Sequence, residues 1–116
     1  MLLPITTLAK QAKENISTLS AADAVTFAKS TDCLIIDVRE AAEVEKSAVK
    51  HSLAIPRGVL EAQIITKCND ENMPILVHCQ SGGRACLAVE QLIKMGYKNV
   101  QAITASHQEI CQLFND

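Results

Sequence analysis

Two runs of consecutive apolar residues constrain the fold of this chain more than any other feature: Cys33-Leu34-Ile35-Ile36-Asp37-Val38 and Pro74-Ile75-Leu76-Val77-His78. Neither alternates apolar with polar, as a strand with one wet face does, so each needs cover on both sides, the condition of a strand inside a parallel sheet. A helical stretch follows each run, Glu40 to Lys46 after the first and Arg84 to Met95 after the second, where Gly96 is placed to end the helix. Short strands are expected at Ile16 to Leu19, Leu53 to Ile55 and Asn99 to Ile103. Helices are expected at Thr6 to Asn15, at Gly58 to Ile65, at His107 to Phe114, and from the Ser20-x-x-Asp23 capping box to Lys29. This alternation predicts an α/β domain over residues 17–116 with a mostly parallel sheet and helices on both faces, preceded by a helical segment over 1–16.

A chain of 116 residues buries roughly two thirds of its unfolded surface, enough for one ordinary core. With 48% hydrophobic residues, 21% charged residues and a formal net charge of -2, disorder and electrostatic nucleic-acid binding are disfavoured. Aromatics make up 3% of the chain, too few for a base-stacking surface. No apolar run reaches the ~20 residues a membrane helix needs, and the start of the chain lacks the basic and apolar regions of a secretory signal. Its five cysteines are odd in number and form no C-x-x-C pair, which speaks against a disulfide framework or zinc ribbon and for free thiols in a reducing, cytoplasmic setting.

The chemistry concentrates at Val77-His78-Cys79-Gln80-Ser81-Gly82-Gly83-Arg84-Ala85. Open parallel sheets bind ligands beyond the carboxyl ends of their strands, and Cys79 stands at that end of the second apolar run. Two adjacent glycines let successive N–H groups turn toward one point, and the following helix adds partial positive charge from its N-terminus. With Arg84, these groups favour the thiolate of Cys79, attract an anionic substrate and stabilise charge that develops during attack by sulfur. A strand-ending cysteine on its own is more often an inert core residue; here strand, thiol, double glycine, arginine and helix coincide.

At these residues the chain resembles a small single-domain rhodanese. The resemblance rests on C-Q-S-G-G-R, with I-D-V-R-E at 36–40, A-I-P-R-G-V-L-E at 54–61 and M-G-Y-K-N-V at 95–100, in the family's order from Ser17 to Phe114. It implies a five-stranded parallel sheet and a sulfurtransferase in which a Cys79 persulfide carries sulfur from thiosulfate or a related anionic donor to a thiol or cyanide-like acceptor. An acceptor protein is a further partner, and no cofactor or metal is required. Arg84 would orient the donor, the amides of Gln80, Ser81, Gly82 and Gly83 would hold the persulfide, and Arg57 would add a second positive charge or merely enter a helix. Asp37 and Arg39 are expected to tie the loops beneath the site. A persulfide carrier or interaction module with weak small-molecule activity is the alternative from another class. Cysteine phosphatases and arsenate reductases are the nearest enzymatic rivals, but phosphatases place one residue more between cysteine and arginine than the four found here.

Two family signatures are altered. The family's Gly-His-Ile-x-Gly-Ala aligns with Ser47-Ala48-Val49-Lys50-His51-Ser52, and its Gly-Gly-aromatic turn is Ala105-Ser106-His107, with Ile110 in place of a tryptophan. The pocket walls therefore differ from the family's, and the turn at 105 should take another backbone path. Cys86 is read as a core residue in preference to a resolving thiol, and His78 as a packing residue or backbone hydrogen-bonder, facing away from Cys79. His107 and Cys111 have helical spacing for a shared metal, without a second ligand pair.

Overall fold

The two apolar runs become neighbouring strands. In the computed structural model, which describes residues 1–116, β2 (Leu34–Asp37) and β4 (Ile75–His78) pair in parallel, with Leu34 opposite Ile75 and Asp37 opposite His78. The remaining strands are β1 (Ser17–Leu19), β3 (Leu53–Ala54) and β5 (Val100–Ile103). All pairings are parallel, in the order β1-β5-β4-β2-β3. The strand at the centre, β4, is buried along its whole length, as its lack of alternation requires.

Six helices cover the sheet: α1 (Ile5–Glu14), α2 (Ala21–Ser30), α3 (Ala41–Lys46), α4 (Leu60–Lys67), α5 (Gly83–Met95) and α6 (His107–Phe114). The core divides accordingly. The larger cluster joins Ala12 of α1, Leu60 and Ile64 of α4, and Ala85, Ala88, Val89 and Leu92 of α5 to Ile36, Ile75 and Val77. The smaller joins Ala21 and Ala24 of α2 and Ile110 of α6 to Ile35, Leu76 and Ile103. Successive strand residues thus feed opposite clusters, the period-two rule acting inside a sheet with two dry faces.

Local chemistry sets the helix ends. Ser20 Oγ accepts from the Asp23 N–H at 3.1 Å, and Ser106 Oγ from the Glu109 N–H at the same distance, each satisfying an orphan first-turn donor. In α3 the cap is glutamate: the N3 backbone N–H donates to the Glu40 side chain, and the Glu40 N–H donates to Glu43 Oε1 at 2.9 Å. Gly96 closes α5 at φ +113, a conformation that costs glycine little.

One expected element differs. In place of one helix from Gly58 to Ile65, a 3-10 turn at Arg57–Val59 precedes α4, which runs on to Lys67. Val59 at φ -122 and ψ 6 interrupts the helical path, and Leu60 and Ile64, one turn apart, bury their side chains and fix the register of α4.

Candidate active site

Cys79 leaves the carboxyl end of the central strand, with connections on either side running toward opposite edges of the sheet, the usual place for a ligand in an open parallel sheet. Its residue exposure is 1%. The sulfur is held by backbone amides: Gly82 N–H donates at 3.1 Å and Ala85 N–H at 3.4 Å. The sequence points to the amides of residues 80–83; of these Gly82 is directed at Sγ, and the second donor is Ala85, the two lying on either side of the start of α5. Gly82 makes this wrap feasible at φ +105, and a Cβ there would lie 3.4 Å from Thr104 Cα. The loop is braced from α6, whose first residue, His107, donates its N–H to Gln80 O at 2.8 Å. The altered turn at 105 therefore serves as an N-cap, with Ser106 in extended backbone.

Arg84 is engaged. Its Nη1 and Nη2 donate to Glu43 Oε1 and Oε2 at 2.7 and 2.9 Å, the fork-to-fork geometry of arginine with carboxylate. The hydrogen bond to Arg84 is the main reason that the Glu43 carboxyl is held down at about 2. Arg84 is raised in turn, mostly by Glu43 and to a lesser degree by the charge of Cys79, so guanidinium and sulfur share one electrostatic neighbourhood. Glu43 is the partner of Arg84 that the sequence alone does not single out. Its only local signal is its place three residues after Glu40, which reads as a cap.

Beneath the loop, Asp37 and Arg39 form a pair buried to 1% and 2% exposure. Arg39 Nη2 donates to Asp37 Oδ2 at 2.8 Å and to Ser47 O at 2.6 Å, and Nε donates to both Asp37 oxygens at 3.1 Å. The pair thereby staples the end of β2 to the end of α3, the geometry a buried ion pair needs to offset its desolvation. His78 is fully buried, as a packing residue is, and its Nε2 lies 2.7 Å from Ser52 Oγ, a side-chain and not a backbone partner. Its Nδ1 is buried without a partner, and burial pushes the imidazole down to about 4.

Arg57 pairs with Glu61 at 2.7 Å, four residues on, in the geometry of a helix-entry residue. Cys86 is 2% exposed and burial raises its thiol, as for a core residue. His107 and Cys111 do meet, yet no group of three or more His, Cys, Asp or Glu side chains converges to hold a metal. No helix is long and apolar enough to cross a membrane.

A five-stranded parallel sheet that presents a thiol in a glycine loop at the end of its central strand defines an α/β protein with a cysteine site. Sequence comparison places it more closely: the rhodanese-like domain profile matches residues 11–112, and the chain belongs to that family. A Schizosaccharomyces pombe protein named as a candidate mitochondrial thiosulfate sulfurtransferase is 34% identical over 94 residues, 70% of this chain and 63% of that protein. The match thus spans less than two thirds of that relative's length. Among solved structures, a Rhodopseudomonas palustris protein of unknown function, described as a candidate tyrosine phosphatase, superposes with a TM-score of 0.83 at 27% identity, covering 97% of this chain and 92% of its own. The Wolinella succinogenes polysulfide-sulfur transferase homodimer gives 0.77 at 27% identity, over 91% and 80%.

Proposed function

We propose that the protein is a sulfurtransferase that moves a sulfane sulfur from thiosulfate or a related anionic donor to a thiophilic acceptor through a persulfide on Cys79. The observation that carries this reading is the two-amide cradle: Gly82 and Ala85 N–H groups aimed at Sγ at 3.1 and 3.4 Å from the start of a thirteen-residue helix. Donors already in place lower the cost of carrying negative charge on sulfur, both in the thiolate and in the persulfide.

In the first half-reaction the Cys79 thiolate attacks the outer sulfur of thiosulfate, the S–S bond of the donor breaks, and sulfite leaves with the electron pair. In the second, cyanide or a thiolate attacks the outer sulfur of the persulfide, and Cys79 leaves as the thiolate. The chain's own residues meet both halves, Arg84 by orienting the donor anion and the loop amides by holding the sulfur that arrives. The names of the fission-yeast and Wolinella relatives support this chemistry, and five free cysteines suit a reducing compartment such as the cytoplasm.

The Arg84–Glu43 pair favours a second reading. With its guanidinium already bound through both terminal nitrogens, Arg84 greets a small anion weakly, as suits a persulfide carrier loaded and unloaded by a thiol protein. The Rhodopseudomonas neighbour argues for phosphoester chemistry instead, against which stands the interval of four residues between Cys79 and Arg84.

Mass spectrometry of the native protein after exposure to thiosulfate tests the proposal. The expected product is the mass of one added sulfur atom on Cys79, removed by cyanide. A phosphate adduct, or no adduct from thiosulfate, polysulfide or a persulfidated thiol protein, would overturn it.

A further inference from the structure

A second thiol lies against a histidine, away from the cysteine loop. Cys111 Sγ in α6 is 3.1 Å from His107 Nε2, one helical turn earlier, and the same nitrogen is 3.0 Å from Ser47 Oγ at the end of α3. Ser47 Oγ is itself 3.8 Å from the sulfur. Sulfur, imidazole and hydroxyl, drawn from two elements remote in sequence, thus converge on one point. The other thiols lack this arrangement. Cys68, Cys79 and Cys86 are buried, and Cys33, half-buried like Cys111, makes no hydrogen bond through its sulfur and is raised by burial and by Asp32. Cys111 is therefore the one thiol that is both open to small molecules and in contact with a proton acceptor.

We infer that Cys111 is an oxidant-reactive modification site, a cysteine that His107 deprotonates and that a hydroperoxide converts to the sulfenic acid. Burial, and then the charge of Arg39, hold His107 below its ordinary value, so near neutral pH its ring is uncharged and Nε2 can take the thiol proton. The thiolate attacks one peroxide oxygen, the O–O bond breaks, and the imidazolium returns its proton to the departing hydroxide as water. Sulfur loses two electrons, the peroxide gains them, and a Cys111 S–O bond remains. Ser47 Oγ, 3.8 Å from the sulfur, is close enough to hydrogen-bond the leaving oxygen. Neither Cys111 nor Ser47 has a part in the proposed chemistry at Cys79, so the site stands independently of that reading.

The test exposes the intact folded protein to limiting hydrogen peroxide, traps sulfenic acids with dimedone, and quantifies each cysteine by peptide mass spectrometry. The expected result is labelling of Cys111 about tenfold or more above Cys33, the half-buried internal control, falling to the Cys33 level in His107→Asn. Equal labelling of Cys111 and Cys33 in the wild type would overturn the proposal, and so would undiminished labelling of Cys111 in a folded His107→Asn. Should that variant not fold, the wild-type ratio decides alone, and Ser47→Ala, expected to lower Cys111 labelling several-fold with the fold kept, supplies the second measurement.

Discussion

Arg84 and Glu43 grip each other fork to fork, at 2.7 and 2.9 Å, across an interval of 41 residues. The contact joins the first turn of α5, which carries the amides that hold Cys79, to the middle of α3, which the Asp37–Arg39 pair anchors from below. With side chains 30% and 34% exposed, the pair contributes about 0.5 kcal/mol to stability. Under the proposed chemistry its larger effect falls on binding, because it commits the guanidinium that an anionic donor would meet.

Glu43→Gln should therefore release Arg84 and lower the KM for thiosulfate several-fold, with thermal stability nearly unchanged. Arg84→Ala should do the reverse, raising KM more than it lowers the Tm. Steady-state kinetics alongside thermal melts checks both, and a KM unmoved by either substitution would make the pair purely structural.

Cys79→Ser removes the sulfur and keeps the loop backbone. The variant should melt within a few degrees of the wild type and accept no sulfur from any donor, as read by intact mass; retained turnover would end the mechanism.

Gly82→Ala places a Cβ at φ +105 and 3.4 Å from Thr104 Cα. The backbone strain costs about 1–2 kcal/mol, and relief by loop movement would pull the Gly82 N–H off the sulfur. Chemical denaturation should show the loss, and the rate of persulfide formation should fall further than stability alone explains.

Asp37→Ala leaves Arg39 buried, charged and without its carboxylate. Breaking such a pair costs about 3–5 kcal/mol, a large part of a small domain's stability, so urea denaturation should show a much earlier midpoint or an unfolded protein. A shift under about 1 kcal/mol would mean that water enters and solvates the guanidinium.

Acid should weaken the fold in two stages. Between the ordinary 6.5 of histidine and the value of about 4 for folded His78, the unfolded chain binds a proton that the folded chain refuses, so stability falls as pH is lowered through that window. His107, also lowered by burial, acts in the same direction. Glu43 adds a shallower second loss of about 0.5 kcal/mol, that of its pair with Arg84, as pH falls from 4.5 toward about 2. Urea midpoints measured against pH should show both slopes, and His78→Asn should flatten part of the first while leaving the second.

The strands were legible because β2 and β4 are apolar on both faces, a pattern that only a doubly covered sheet explains. The cysteine loop was legible for a related reason: its thiol, glycines and arginine are contiguous, so spacing along the chain stands for spacing in the fold. Arg84–Glu43, Ser47–His107 and Ser52–His78 join residues from separate elements, and no local pattern in a single sequence records such pairings. The break before α4 was missed because Val59 carries no sign of its non-helical backbone. Of the two donors to Cys79, Gly82 lies among the loop amides that the spacing indicates, whereas Ala85 does not, because its amide, already inside a helix, turns back toward the sulfur.

The hydrogen bond from His107 N–H to Gln80 O, together with the pairing of β5 onto β4, sets an order of events during synthesis. Cys79 leaves the ribosome well before the residues at 100–107 that brace its loop, so the emerging loop lacks both the strand beside it and the tie from His107 N–H to Gln80 O. If Cys79 carries sulfur as proposed, its loading should therefore begin only once the last strand and helix have joined the sheet.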